Sequence, residues 1–244
     1  MNIVKLKGMV NDNPVTKFVA EGLLNGYTIA RRHVTKSYTK NREDYMAMKI
    51  LKKIYGVEPS DTVYADLGAN DYRRGNNTYL FYTQGARGVL VEANPLLCNK
   101  LTKKRPEDKI RNVAIGTTSL ESIDFYVLDL PTRSSMDKDS IDKSVKEDGL
   151  KVTEVVKVPC VNINSLFEEE GVNPDYMSID IEGMDFAVLK TLDFEKYPIK
   201  VIVAEKDDET DEEGMTMDQF MATKGYKTYG DFGSNVMYVK KRKK

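Results

Sequence analysis

The stretch Thr62-Val63-Tyr64-Ala65-Asp66-Leu67-Gly68-Ala69-Asn70-Asp71 restricts the fold of this chain more than any other. An apolar run takes in an acid at its end, and a glycine follows two residues after that acid. The run reads as a buried strand. The glycine permits a sharp turn where a side chain would collide with a ligand. Downstream, Asn76-Asn77-Thr78-Tyr79-Leu80-Phe81-Tyr82 can open a helix with Asn76 or Asn77 as its cap. In open α/β sheets, an acid at the end of such a strand faces a ligand crevice. Many strands end in Asp-x-Gly by chance, so this unit alone does not decide for a ligand.

The next unit adds weight. Gly88-Val89-Leu90-Val91-Glu92 is a second apolar strand ending in an acid, and Ala93-Asn94-Pro95 starts a helix. A carboxylate at the end of the second strand of a βαβ unit suits ribose hydroxyls, because it accepts two hydrogen bonds at once. After Gly68 the next glycine is Gly75, so no G-x-G-x-x-G is present to cradle a pyrophosphate. The pattern calls for a nucleoside without a phosphate grip, and S-adenosylmethionine meets that description.

From there the elements alternate. Strands are expected at 62–67, 88–92 and about 109–115, with helices at about 76–84 and 95–104, preceded by a helix at 45–55. Alternation with short loops implies a parallel sheet with right-handed crossovers. The end of the third strand, Arg111-Asn112-Val113-Ala114-Ile115-Gly116, should lie beside an adenine or be an ordinary buried strand end. Residues 123–128 alternate as a half-buried strand. Residues 131–150 are rich in Ser, Asp and Lys and read as a loop near the acceptor entrance. Residues 155–161 are strand-like, with Pro159 suggesting an edge. Residues 164–170 read as a short helix stopped by Gly171.

Tyr176-Met177-Ser178-Ile179-Asp180-Ile181-Glu182-Gly183 repeats the pattern of a strand ending in acids and a glycine, followed by an amphipathic helix at 184–192. In a doubly wound sheet, Asp66 and Asp180 would flank the point where strand order reverses. Residues 200–205 form a further strand ending in Glu205. Asp180, Glu182 and Glu205 offer hard oxygen ligands for a divalent metal, an option not favoured over a site without metal. The acidic run 206–213 reads as a solvated loop. A helix at 217–224, stopped by Gly225, leads to segments 226–229 and 235–239, which can close the sheet as an antiparallel hairpin.

With 244 residues and 41% hydrophobic content, the chain suits one α/β domain with a short extension. The expected division is a helical extension or lid at 1–60, the main domain at 61–240 and a basic tail at 241–244. A net charge of −1 provides no global attraction to nucleic acid or an anionic membrane. Cys98 and Cys160 fit buried packing in a reducing compartment, and His33, the single histidine, reads as part of a solvated basic loop. Residues 1–10 lack a signal-peptide core, and no run reaches membrane-spanning length, so a cytoplasmic location is expected.

Five stretches together resemble the FkbM family of methyltransferases. They are Ser37-Tyr38-Thr39-Lys40-Asn41-Arg42-Glu43-Asp44, Asp66-Leu67-Gly68-Ala69-Asn70, Val91-Glu92-Ala93-Asn94-Pro95, Asn112-Val113-Ala114-Ile115-Gly116 and Ser178-Ile179-Asp180-Ile181-Glu182-Gly183. The resemblance implies a Rossmann-like class I methyltransferase fold, S-adenosylmethionine as donor, and O-methylation of a small-molecule or glycan hydroxyl. It places Asp66, Gly68 and Asn70 on the methionine side of the cofactor, Glu92 at the ribose, Asn112 and Val113 at the adenine, and Asp180 and Glu182 at the reaction centre. Glu43, Ala69 and Ala93 join the cofactor set through the same motifs. Two positions depart from the pattern: Lys40 replaces a usual Gln, and Asp71-Tyr72-Arg73-Arg74-Gly75 replaces a less charged turn. An anionic acceptor or a solvated loop would each account for the second.

A sugar hydroxyl is a poor nucleophile near neutral pH and benefits from a base, here Glu182 or Asp180. The rival readings are a catalytically silent nucleoside-binding partner in glycan assembly and a nicotinamide-dependent oxidoreductase. The missing glycine fingerprint counts against the latter.

Overall fold

The computed structural model describes residues 37–206 and 210–242. Tyr38–Lys244 forms one compact unit, distinct from Met1–Ser37. Residues 1–36 of the expected helical extension, including the basic loop with His33, lie outside the described residues, as do positions 207–209 of the acidic run.

In chain order the unit contains α1 (Glu43–Ile50), continued by a π-helical stretch (Leu51–Tyr55), then β1 (Val63–Leu67), α2 (Tyr79–Thr83), β2 (Arg87–Val91), α3 (Pro95–Lys104), β3 (Lys109–Arg111), β4 (Ala114–Gly116) and β5 (Leu120–Leu128). It continues with α4 (Lys138–Asp148), β6 (Val152–Asn162), α5 (Ile163–Glu170), β7 (Tyr176–Ile179), α6 (Asp185–Thr191), β8 (Val201–Glu205), α7 (Met217–Thr223), β9 (Tyr226–Asp231) and β10 (Asn235–Lys240). The main sheet has the order β3-β2-β1-β7-β8-β10-β9. Its first five strands run parallel, and β10 pairs antiparallel with both β8 and β9, as the expected closing hairpin. Strand order reverses between β1 and β7, where the acids at positions 66 and 180 were expected to meet.

Strand alternation sorts side chains onto two cores, because successive residues of a strand point to opposite faces. Ala65, Leu67, Val89, Val91, Met177, Ile179, Ile202 and Ala204 pack on one face against α5, α6 and α7. Tyr64, Leu90, Tyr176, Val201, Val203, Met237 and Val239 pack on the other with Ala47 and Ile50 of α1, Phe81 of α2 and Leu101 of α3. Ala47, Ile50 and Leu51, which fall within the expected N-terminal extension, pack in this second core.

Three local expectations are corrected. The third strand divides: β3 pairs with β2, whereas β4 leaves the main sheet and pairs with β6. The break falls at Asn112, whose side-chain amide donates to the carbonyls of Glu92 and Ala93 at 2.8 and 2.9 Å. Residues 131–150 are not a loop but contain α4, capped by Asp137 and ended by left-handed Gly149. Only Ile141 and Ser144 of that helix are buried, so its apolar face was too narrow to show a helical period. Pro159 does not mark an edge strand, since β6 is the middle strand of the small sheet β4-β6-β5. The proline is tolerated because β4 begins pairing only at Cys160, and a bulge on the β5 side faces it.

Candidate active site

Strand register builds the site. Leu67 pairs with both Val91 and Ile179, and Ile179 pairs with Ala204. The next residue of each strand therefore falls in one transverse row at the carboxyl edge: Glu92, Gly68, Asp180 and Glu205. The row is tight. Gly68 has φ +83°, and a Cβ there would land on the Asp180 carbonyl oxygen. Only glycine combines that conformation with that approach.

A cavity of about 280 Å³ opens above this row, lined by Asp66, Gly68, Ala69, Asn70, Glu92, Ala93, Val113, Asp180 and Glu182 among others. Phe125, Thr132, Ser134 and Met136, from β5 and the segment after it, also line it. Among the described residues, three non-glycine positions have left-handed backbone, and two of them, Asn70 (φ 52°) and Glu182 (φ 55°), line this cavity. Such conformations concentrate at functional sites.

Asp66 is buried and accepts from Asn76 Nδ2 at 2.8 Å and Thr78 Oγ1 at 2.7 Å. Burial raises its pKa, while the Thr78 bond and the nearby Arg105 charge hold it down. Glu92 accepts one backbone N–H on each oxygen, from Asn70 and from Asn94, both at 2.8 Å. Each oxygen keeps a second lone pair for a ligand hydroxyl. Burial pushes Glu92 up to about 7 against those two amide bonds. Asp180 is pushed up to about 7 by burial and then by the charges of Glu205 and Asp66. Glu182 rises to about 8 through burial and its neighbours Asp180 and Glu205, partly offset by Arg133. Arg133 Nε lies 3.5 Å from Glu182 Oε2. Asp185 sits behind the pair, buried, accepting from Ile181 N at 3.2 Å and raised well above the ordinary carboxylate range.

The sequence profile of the methyltransferase FkbM domain matches residues 66–228, which takes in every strand from the end of β1 to β9.

This chain belongs to the FkbM methyltransferase domain family.

Membership makes the sheet a Rossmann-like class I methyltransferase fold and implies S-adenosylmethionine as donor. No curated protein matches the sequence. Among solved structures it is similar to a Pyrococcus horikoshii protein assigned as an RNA methyltransferase (11% identity, 81% of this chain and 83% of that one, TM-score 0.41). It is also similar to the mitomycin 7-O-methyltransferase MmcR (10%, 81% and 55%, 0.36) and to the 16S rRNA methylase ArmA (10%, 90% and 95%, 0.31). At these scores the likenesses say nothing about substrate.

The FkbM cavity fits the implied donor on its own chemistry. Its carboxylates can accept cationic groups, and the remaining lone pairs of Glu92 can accept from a diol. Asn77 lines the cavity, gives its Nδ2 to Ser178 Oγ at 2.9 Å and leaves its buried Oδ1 without a partner among the described residues. Asn112 and Glu43 lie outside the lining. Asn112 straps the chain beneath Glu92, and Glu43 accepts from Asn41 N at 3.1 Å and Asn235 Nδ2 at 3.4 Å. Among the described residues, no three acid, His or Cys side chains converge where a metal ion could sit, the Asp180, Glu182 and Glu205 set included.

Sequence reading missed Asn76 and Thr78 as partners of Asp66, having read the Asn76 region as a cap. It also missed Arg105, which is fully buried and donates to Asp108 Oδ2 (2.7 Å), Tyr64 Oη (2.9 Å), Asn76 Oδ1 (3.1 Å) and Thr78 Oγ1 (3.2 Å). In Arg105-Pro106-Glu107-Asp108 nothing separates this arginine from a surface loop.

Proposed function

We propose that this FkbM protein transfers a methyl group from S-adenosylmethionine to a hydroxyl of a sugar or surface-glycan precursor. The observation that supports this most is the one cavity at the carboxyl edge of the parallel strands, lined by Asp66, Glu92, Asp180 and Glu182. Glu92 takes the ribose diol on its remaining lone pairs. Asp66 and the Gly68 turn face the methionine side. The donor, when bound, supplies an activated methyl group and its own leaving group. The protein's part is to orient the hydroxyl in line and to accept its proton.

Asp180 is the favoured base. Its carboxylate has no hydrogen-bond partner among the described residues, and its raised pKa of about 7 makes it a competent proton acceptor near neutrality. Glu182, steadied by Arg133, is the second candidate and can hold a neighbouring hydroxyl of the acceptor. Thr132, Ser134 and Met136 stand where the acceptor would bind. A location in the cytoplasm is part of this reading. No described helix is long and apolar enough to cross a membrane.

Asp180→Asn and Glu182→Gln test the assignment. Turnover on a panel of sugar and nucleotide-sugar acceptors should fall about 100-fold or more in the variant that removes the base. Calorimetric titration with S-adenosylhomocysteine reports cofactor affinity in parallel, with NAD as the control for the oxidoreductase alternative. Full turnover in both variants would remove the base assignment. Binding of S-adenosylhomocysteine with no turnover on any acceptor would favour the silent partner in glycan assembly.

A further inference from the structure

Five carboxylates line the cavity, Asp66, Asp71, Glu92, Asp180 and Glu182, and among the described residues one cationic side chain joins them, Arg74. Asp71 is satisfied elsewhere. Its Oδ2 takes Lys100 Nζ at 2.6 Å, and its Oδ1 takes the backbone amides of Arg73 and Arg74 at 2.9 and 2.8 Å. Glu182 faces Arg133, and Glu92 is held by two amides. The Arg74 guanidinium, exposed at the cavity wall, has no ion-pair partner among the described residues. The turn carrying it is fixed: Asp71 binds its amide, and Gly75 N donates to Tyr38 O at 3.1 Å.

The glycine turn below has little to offer an anion. Gly68 N and Ala69 N both donate to Val91 O, at 3.0 and 2.9 Å, and Asn70 N donates to Glu92. All three amides are occupied by the end of β2. An anionic group entering a site lined by carboxylates needs a cation or free donors to offset their repulsion. Arg74 is the side chain placed to meet it, and a guanidinium fork matches a carboxylate with two parallel bonds.

We propose that Arg74 is the anion anchor of this cavity and binds the carboxylate at the amino-acid end of the methyl donor. The proposal rests on the methyl-donor reading above. It separates the two charges of that end: carboxylates take the ammonium, and Arg74 takes the carboxylate. It also gives the charged turn 71–75 a task at the cofactor rather than at an anionic acceptor.

Calorimetry on the full chain without acceptor tests this. S-adenosylhomocysteine carries the amino-acid end, and 5′-methylthioadenosine lacks it. Arg74→Ala should weaken S-adenosylhomocysteine about 10- to 100-fold and leave 5′-methylthioadenosine within about twofold. Arg74→Lys should recover part of the loss, since it keeps the charge without the fork. Unchanged S-adenosylhomocysteine affinity in Arg74→Ala would overturn the proposal, as would equal weakening of both ligands. If the unaltered protein binds neither ligand, the donor reading itself fails, an outcome distinct from failure of the anchor alone. With no acceptor present, an acceptor's anionic group cannot produce the expected loss.

Discussion

Gly68 joins the turn after β1 to the end of β7, because its missing side chain is what lets Asp180 lie one strand away at the same height. A methyl group there would meet the Asp180 carbonyl oxygen from a left-handed backbone. Gly68→Ala is expected to destabilise the protein by about 2 kcal/mol or more, a fall in Tm of roughly 4–8 °C, since neither the carbonyl nor the backbone can give way cheaply. Thermal melts check this, and S-adenosylhomocysteine affinity should fall in parallel as the row spreads. Gly75→Ala also sits at positive φ, but no atom lies within reach of its Cβ, so the melting loss there should be smaller. Asp66, Glu92 and Asp180 were legible as site candidates because each follows an apolar run. Their partners Asn76 and Thr78 were not, because polar residues before a helix look alike whether they cap it or bind an acid.

At the scale of elements, the buried Arg105 network joins the end of α3 to β1, β2 and the turn before α2. Arg105 pairs with Asp108 at 2.7 Å with both side chains fully buried, and Tyr64 Oη and Gly88 N also donate to Asp108, at 2.6 and 3.0 Å. Burial raises the Tyr64 phenol above its ordinary range, the Arg105 charge opposes that rise and the Asp108 charge adds to it. Through Asn76 and Thr78 the same arginine holds the donors of Asp66 in place. Arg105→Met should cost about 3–5 kcal/mol, because it leaves Asp108 as an uncompensated buried charge. Urea unfolding would measure it as a lower midpoint. Arg111, by contrast, pairs with Glu169 and Glu170 near the surface, so Arg111→Met should change the midpoint little. The main strands and α3 were readable from periodicity. Helix α4 was not, because its exposed face dominates its composition.

For the whole molecule, gathering acids around one cavity makes stability depend on pH. Folding raises Glu92 and Asp180 to about 7 and Glu182 to about 8, from ordinary values of 4.5, 3.8 and 4.5. The folded state therefore binds more protons than the unfolded chain between roughly pH 4 and 8, and stability must fall as pH rises through that window. These groups contribute their full stabilisation below about pH 4 and have lost it once the pH passes their folded values. The Tm of the ligand-free protein should drop between pH 5.5 and 8, and Asp180→Asn with Glu182→Gln should flatten that slope. A steeper slope in the double variant would show that other groups govern it. S-adenosylmethionine, which brings positive charge to these acids, should stabilise the protein most at the alkaline end.

The sequence alone determined that the chain builds a mostly parallel sheet, which strands end in acids, and that no glycine-rich pyrophosphate fingerprint follows them. These are local properties: apolar runs, their terminal acids and the spacing of glycines are all written within a few consecutive residues. Only the tertiary structure decided that Glu92, Gly68, Asp180 and Glu205 share one row, that Arg105 reaches Asp66 through Asn76 and Thr78, and that among the described residues Arg74 is the one cationic side chain lining the cavity. Register, burial and charge pairing depend on residues far apart in the chain, and nothing within one segment carries them.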